Sequence, residues 1–264
     1  MRRLRRLGLK RSARWQEAAC VLEGPDLVLA AVRAGAPIEA VYFDQRAVTE
    51  VGSPSARALV EAAAGGLRVI ELAEGVLDKV TDAVTAQPIL AVAALPDTSL
   101  DVVPRRGFVL VLCEVRDPGN LGTAVRAADA AGAAGVVVCA DSVDVFNPKA
   151  LRATAGSVFH LPVAVVPTLD ATVEALHSHP RKVLAATVAG GVALWDAPLD
   201  EATAVVIGSE ATGLSARDVA ACDGAVTIEM AGRAESINAG VAAALVCFEA
   251  LRRRSGRGAG EPTI

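Results

Sequence analysis

The chain has 264 residues, of which 53% are hydrophobic and 21% are charged, a balance typical of a packed globular protein and not of a disordered or fibrous one. This length favours two modest domains, each with its own core. The formal net charge of −4 argues against a uniformly basic nucleic-acid binder, and no apolar run is long enough to span a bilayer.

The N-terminal segment concentrates positive charge. No apolar stretch of a secretory signal follows it, so we expect a cytoplasmic protein. Taken alone, such a run is as easily a solvated, flexible arm as an RNA contact, and it becomes informative only beside a second RNA signal. Its basic residues are Arg2, Arg3, Arg5, Arg6, Lys10, Arg11 and Arg14.

Helices and strands alternate in the first part of the chain. Pro25 suits a helix start and Gly35 a helix end, which predicts a helix between them and a strand over residues 38–44. Residues 53–64 predict a second helix and residues 67–72 a second strand. The pattern indicates a small α/β domain. Two prolines and mixed charge over residues 95–106 mark its end, near residue 100.

Beyond this boundary, apolar runs typical of strands buried on both faces alternate with helical segments. We therefore predict an α/β domain over residues 101–254 with a mostly parallel sheet and helices on both faces. The Gly-rich residues 255–264 are predicted to be disordered. The predicted strands are 108–115, 136–139, 161–166, 183–188, 204–208 and 225–230, and the predicted helices 121–131, 148–155, 169–176, 215–221 and 236–254.

Three turns of the second domain carry the candidate site, because ligands of parallel sheets bind beyond the carboxyl ends of strands. The first contains Asn120 and leads to Arg126. The second contains Glu210, between Gly208 and Gly213, and the third contains Ser236 and Asn238. We expect these glycine-bearing turns to line one pocket.

Each polar residue of these turns also has a purely structural interpretation. Arg126 could pair with Asp129 on a helix surface, and Glu210 could favour the positive end of the helix that follows it. Ser236 could be only a helix cap, with Asn238 satisfying nearby backbone amides. The chain has no dinucleotide-binding, phosphate-loop or G-x-S-x-G pattern. Five widely spaced cysteines are expected to be buried apolar residues, and we expect no metal site.

Together the three turns resemble a known family. Residues 120–132, 205–215 and 228–245 are similar, in order, spacing and content, to the three motifs of the SpoU (TrmH) family of RNA 2′-O-ribose methyltransferases in the SPOUT superfamily. Residues 147–163 resemble the segment between its first two motifs. Residues 20–35 and 77–94 resemble the small substrate-binding module often fused ahead of it, which supplies the second RNA signal.

The resemblance implies a catalytic domain with a deep trefoil knot, a homodimer, and S-adenosylmethionine as the cofactor. It implies that Arg126 is the base that takes the 2′-hydroxyl proton, but an arginine guanidinium is costly to deprotonate near neutral pH. We therefore expect Arg126 to hold the RNA phosphate beside the target ribose and to stabilise developing alkoxide charge, whether or not it formally removes that proton. Glu229 departs from the family, which usually has proline there. The implied catalytic residues are Arg126, Asn120, Glu210, Ser236 and Asn238. The implied cofactor-binding residues are Ile207, Gly208, Glu210, Gly213, Ile228, Met230, Ser236 and Ile237. The implied RNA-binding residues are the seven basic N-terminal residues and Arg152.

The fused first domain favours ribosomal RNA of the 23S type as the substrate, and transfer RNA remains the alternative. A catalytically weak RNA-binding relative would bind RNA without methyl transfer. A Rossmann-type enzyme acting on a small molecule would need glycine and acidic fingerprints that this sequence lacks.

Overall fold

The structure, a computed structural model, describes residues 1–80, 87–139, 141–199 and 202–258. The chain forms two compact units, one from Met1–Pro96 with Asp144–His160 and the other from Asp97–Val143 with Leu161–Ile264. The helices are α1 (Arg2–Leu9), α2 (Arg11–Glu17), α3 (Pro25–Arg33), α4 (Pro54–Ala64), α5 (Pro118–Ala130), α6 (Pro148–Thr154), α7 (Leu169–His177), α8 (Ala216–Ala221) and α9 (Ala239–Gly258). The strands are β1 (Ala19–Glu23), β2 (Ile38–Phe43), β3 (Val69–Glu71), β4 (Ile89–Ala94), β5 (Val109–Leu112), β6 (Gly135–Cys139), β7 (Val163–Val166), β8 (Lys182–Thr187), β9 (Val192–Ala193), β10 (Thr203–Ile207) and β11 (Gly224–Thr227).

The first unit is built on a four-stranded sheet in the order β1-β4-β2-β3. Strand β4 runs antiparallel to both β1 and β2, and β3 is parallel to β2. The predicted α3, α4, β2 and β3 are present, whereas the sequence interpretation did not assign β1 or β4. The basic segment is not a flexible arm, because it folds into α1 and α2. Leu4 and Leu7, three positions apart, form the buried side of α1 and explain its helical structure.

A buried ion pair ties α2 to the second segment of this unit. The Arg14 guanidinium is 2.6 Å from the Asp144 carboxylate, and both residues are almost fully buried. Arg14 also donates to the carbonyl of Leu7, and the Trp15 indole donates to Asp144. The sequence interpretation assigned residues 144–160 to the second domain, but in the structure they pack with the first unit.

The second unit contains a seven-stranded sheet in the order β7-β6-β5-β10-β8-β11-β9, with every pair parallel. This confirms the predicted fold class. Every residue of β5, β6 and β10 is buried, as the unbroken apolar runs predicted. Alternate strand residues, among them Val111, Val137 and Val206, pack with α7 in one apolar cluster. The short edge strand β9 was not predicted, since two residues give no recognisable pattern.

Helices α5 and α9 pack closely against each other in the second unit. At Gly240 of α9, a Cβ atom would lie 3.2 Å from the Thr123 side chain of α5, so a glycine suits this contact.

Helix α9 continues to Gly258, so the prediction of disorder fails for residues 255–258; the remaining tail lies outside the described residues. In the described part of the chain, no helix has the length and apolar character to cross a membrane. The trefoil knot stays a prediction.

Candidate active site

A cavity of about 490 Å³ lies at the carboxyl ends of β8, β10 and β11 in the second unit. This volume is within the range of ordinary small-molecule sites. All the residues proposed from the sequence to bind a cofactor line it: Ile207, Gly208, Glu210, Gly213, Ile228, Met230, Ser236 and Ile237. The turns after β10 and β11 therefore border one cavity, as expected from the sequence, whereas the first turn, which was expected to line it as well, contributes none of the described lining residues.

The turn after β10 folds back on itself at Gly208. Ser209 and Gly213 exchange two backbone hydrogen bonds of 3.2 and 2.9 Å. A Cβ atom at Gly208 would lie 2.5 Å from the carbonyl carbon of Gly213 and 2.6 Å from the amide nitrogen of Leu214. Real Cβ atoms essentially never approach other atoms so closely. A side chain at position 208 would therefore force this wall of the cavity open.

Glu210 joins the second turn to the first. Its carboxylate accepts hydrogen bonds from the backbone N–H groups of Arg116 and Asp117, both at 3.1 Å, and from the Asn120 side chain at 2.9 Å. These donors lie at the start of α5, where an anion is favourable. The structural role considered for Glu210 was a contact with the following helix, α8, but Ser215 caps that helix instead.

The environment of Glu210 favours its ionised form. Partial burial opposes ionisation, but the hydrogen bond from the Asn120 side chain and those from the backbone amides outweigh it. Together these donors hold the pKa of the Glu210 carboxyl below its ordinary value. Glu210 is therefore an anion that fixes a turn, and it cannot donate a proton near neutral pH.

Asn238 connects the third turn to the same group. Its side-chain NH₂ donates to the Asn120 side-chain oxygen at 2.7 Å, and its own side-chain oxygen accepts the backbone N–H of Val241 at 3.2 Å. Asn238 thus caps α9, which begins at Ala239 and not at Ser236 as predicted. Ser236 instead lines the cavity. Glu210, Asn120 and Asn238 form a continuous chain of side-chain hydrogen bonds, here called the polar relay, through all three turns.

Arg126 is placed differently from the other proposed catalytic residues. It lies two turns into α5, is exposed, and is not among the residues lining the cavity. Within the described residues its guanidinium has no ion-pair partner, so the alternative of a pair with Asp129 is not supported. The cation is therefore available to an anion that approaches this surface.

Comparison with known proteins identifies the family. Residues 107–248, which include all three turns, match the SpoU rRNA Methylase family. The chain belongs to this SpoU family. Residues 1–91 separately match an MRM3-like substrate binding domain, so the first unit also has known counterparts.

Named SpoU relatives act on ribosomal RNA. The chain is 36% identical to the 23S rRNA (guanosine(2553)-2′-O)-methyltransferase RlmP of Bacillus subtilis, over 69% of this chain and 72% of that protein. It is also 36% identical to the 23S rRNA (uridine(2479)-2′-O)-methyltransferase of Streptomyces viridochromogenes, over 66% of this chain but only 63% of that protein. The crystal structure of the SpoU methyltransferase AviRb from Streptomyces viridochromogenes, in complex with AdoMet, is similar with a TM-score of 0.84 and 30% identity over 98% of both chains.

The basic residues of the first unit that were proposed to bind RNA divide into three groups. Arg14 is only 2% exposed and is held by Asp144, so its proposed RNA contact is wrong: its charge is used inside the first unit. A second group is paired: the exposed Arg3 with Glu17 and Glu39, the exposed Arg6 with Glu17, and the half-buried Arg152 with the buried Glu23. Arg2, Arg5, Lys10 and Arg11 are exposed.

Sequence reasoning missed part of the SpoU cavity wall. Ala186, Thr187 and Val188, at the end of β8, line the cavity, as do Leu214 and Glu235. The apolar run that predicted β8 gave the available signal, because its carboxyl end lies at the same sheet edge as the other turns. Within the described residues, no group of three or more His, Cys, Asp or Glu side chains is arranged to hold a metal ion.

Proposed function

We propose that the chain transfers a methyl group from S-adenosylmethionine to a ribose 2′-hydroxyl of ribosomal RNA of the 23S type. The observation that carries this proposal is the polar relay, which joins three turns beside one cavity. The named relatives, which methylate the ribose of 23S rRNA, and the AdoMet-bound AviRb structure support it. The cytoplasmic location expected from the sequence belongs to the same proposal.

The cavity has the surfaces that this cofactor needs. Ile207, Ile228 and Met230 offer apolar contact suited to an adenine ring, and the folded turn at Gly208 brings backbone groups to the wall. Ser236 and Glu235 add polar groups suited to hydroxyl and charged parts. When bound, the cofactor supplies an electrophilic methyl group on a sulfonium. The residues of the chain then have to hold that methyl group in line with the acceptor oxygen.

On the acceptor side, we propose that Arg126 acts through its positive charge. An arginine guanidinium keeps its proton in proteins, so Arg126 acts as a cation and not as the base. It holds an RNA phosphate near the target ribose and stabilises the negative charge that grows on the 2′-oxygen. The polar relay contributes by fixing α5, the helix that carries Arg126, relative to the cavity turns.

The proposal includes a homodimer. Val241 and Phe248 of α9, seven positions apart and so on one side of the helix, are 48% and 49% exposed. Large apolar side chains on one helix face suit an interface between subunits. A second subunit would also explain why Arg126 lies outside the cavity of its own chain, because the acceptor could be held by groups from both. Light scattering should give twice the chain mass, and a monomer at micromolar concentration would contradict this part.

The substrate is tested by methyl transfer to separated RNA classes. Purified protein is incubated with cofactor labelled in its methyl group and with 23S rRNA, 16S rRNA or bulk tRNA from cells that lack the corresponding gene. We expect label in 23S rRNA alone. Label in tRNA alone would replace the proposed substrate by the alternative, and RNA binding without label in any class would indicate a catalytically weak relative.

A further inference from the structure

Among the residues that the structure describes, two carboxylates line the cavity, and they differ in their hydrogen-bond partners. The oxygens of Glu210 accept hydrogen bonds from Arg116, Asp117 and Asn120. Glu235 lies in the loop between β11 and α9, is exposed, and within the described residues has neither a hydrogen bond nor an ion pair. Of the two, only the Glu235 carboxylate is free to meet a ligand.

The charge of the cavity wall indicates that this free carboxylate is available to a cationic ligand. No Lys, Arg or His is among the lining residues that the structure describes, so no side-chain cation there competes for Glu235. S-adenosylmethionine carries two positive charges, the sulfonium and the α-ammonium, against one carboxylate. Because Glu235 is exposed, its attraction to a cation bound in the cavity is modest and is screened by salt.

We propose that Glu235 recognises the cationic methionine half of the methyl donor. It thereby makes the cavity selective for adenosine ligands that carry a sulfonium or an ammonium group over uncharged adenosine thioethers. This inference rests on the proposed use of S-adenosylmethionine and adds a residue to it. Glu235 is a binding and specificity residue and takes no part in the transfer of the methyl group or of the proton.

Calorimetric titration of the full chain with three ligands tests the inference without relying on activity. S-adenosylmethionine carries both cations, S-adenosylhomocysteine keeps only the ammonium, and 5′-methylthioadenosine keeps the adenosine but carries neither. The variant is Glu235→Gln, which preserves shape and removes charge. The matched control is Glu229→Gln, at an exposed position of the same loop that does not line the cavity.

Glu235→Gln should weaken S-adenosylmethionine binding about fivefold, leave 5′-methylthioadenosine binding unchanged, and lose the difference from wild type as salt is raised. A parallel loss for S-adenosylhomocysteine assigns the ammonium as the partner, and no loss for it assigns the sulfonium. Equal weakening of all three ligands, no weakening of any, or the same loss in Glu229→Gln would overturn the inference. Failure of the wild-type chain to bind S-adenosylmethionine would overturn the proposed function itself.

Discussion

The Asn120 side chain donates a 2.9 Å hydrogen bond to the Glu210 carboxylate, although 90 positions separate the two residues in the chain. The same amide accepts a 2.7 Å hydrogen bond from Asn238 through its oxygen. Because its two ends face an acceptor and a donor, only one orientation of the amide satisfies both neighbours. The relay therefore constrains the orientation of the Asn120 amide as well as the distances between the three turns.

Replacing Asn120 by alanine should loosen the turns. Both hydrogen bonds disappear, and Glu210 loses a donor to its charge. We expect a loss of about 1–2 kcal/mol in the free energy of unfolding and a decrease of at least about tenfold in cofactor affinity. The control is Asn147→Ala, which removes the cap of α6 in the first unit. It should cost about 1 kcal/mol in stability but leave cofactor affinity unchanged. Equal affinity losses would show that the effect is not specific to the relay.

Gly208→Ala should damage the cavity itself. The added Cβ would meet the backbone of Gly213 and Leu214, neither of which can move without opening the turn. We expect cofactor affinity to fall by more than about tenfold, measured by calorimetry. Gly232 has no heavy atom within 4 Å of the position of a Cβ, so Gly232→Ala is the matched control and should bind normally. Normal binding by the Gly208 variant would mean that the turn does not form the cofactor wall.

The depressed pKa of Glu210 predicts an acid-dependent loss of stability. Its carboxyl binds protons less readily in the folded chain than in the unfolded chain, so its stabilising contribution is complete above its ordinary pKa of 4.5. That contribution is lost as pH falls from there through the folded-state pKa. Glu210→Gln lacks this titration. The stability difference between wild type and variant, followed by chemical unfolding from pH 7 to pH 3, should therefore shrink below pH 4.5. A difference independent of pH would contradict it.

The buried pair of Arg14 and Asp144 should be structural. Arg14→Met leaves a buried carboxylate without its cation, which costs about 3–5 kcal/mol. Arg14→Met combined with Asp144→Leu should recover part of that loss in urea unfolding, because no charge remains buried. Arg5→Ala is the surface control: it should change stability by less than about 0.5 kcal/mol and weaken RNA binding. A stable Arg14→Met protein with weakened RNA binding would restore Arg14 to the RNA surface.

Arg126 should matter for transfer and not for folding. Single-turnover methylation by Arg126→Ala should be slower by at least about a hundredfold, since one electrostatic contact to a transition state contributes that much. Arg126→Lys should retain part of the rate because it keeps the charge. Thermal stability should not change in either variant, as the side chain has no ion-pair partner among the described residues. Arg217→Ala, on the exposed surface of α8, provides the control. Wild-type rates in both Arg126 variants would eliminate the proposed role.

Much of the second unit could be predicted from the sequence because its strands are buried on both faces. A continuous apolar run such as Val109–Leu112 predicts a strand that is buried on both faces. The carboxyl end of that strand then locates a turn that can bind a ligand. The cofactor-binding residues followed from these turns and from the family resemblance. The relay did not, because no local pattern says that Asn120 will meet Glu210 and not water.

The first unit was harder to predict for physical reasons. Arg14 belongs to a run of similar arginines, and only the distant Asp144 distinguishes it from its exposed neighbours. Strand β1 begins one residue after helix α2 ends, so no turn residues in the sequence separate the two elements. Neighbouring arginines in the sequence can thus have different roles: Arg14 pairs inside the fold, whereas the others lie on its surface.

If the cavity delivers a methyl group to a ribose oxygen, the transferred methyl group must be found on the sugar and not on a base. RNA labelled by the purified protein is hydrolysed in alkali, which cleaves a phosphodiester only where the adjoining 2′-hydroxyl is free. We expect the label to be recovered in an alkali-stable dinucleotide that yields a 2′-O-methylated nucleoside. Label recovered in mononucleotides, on a base, would contradict it.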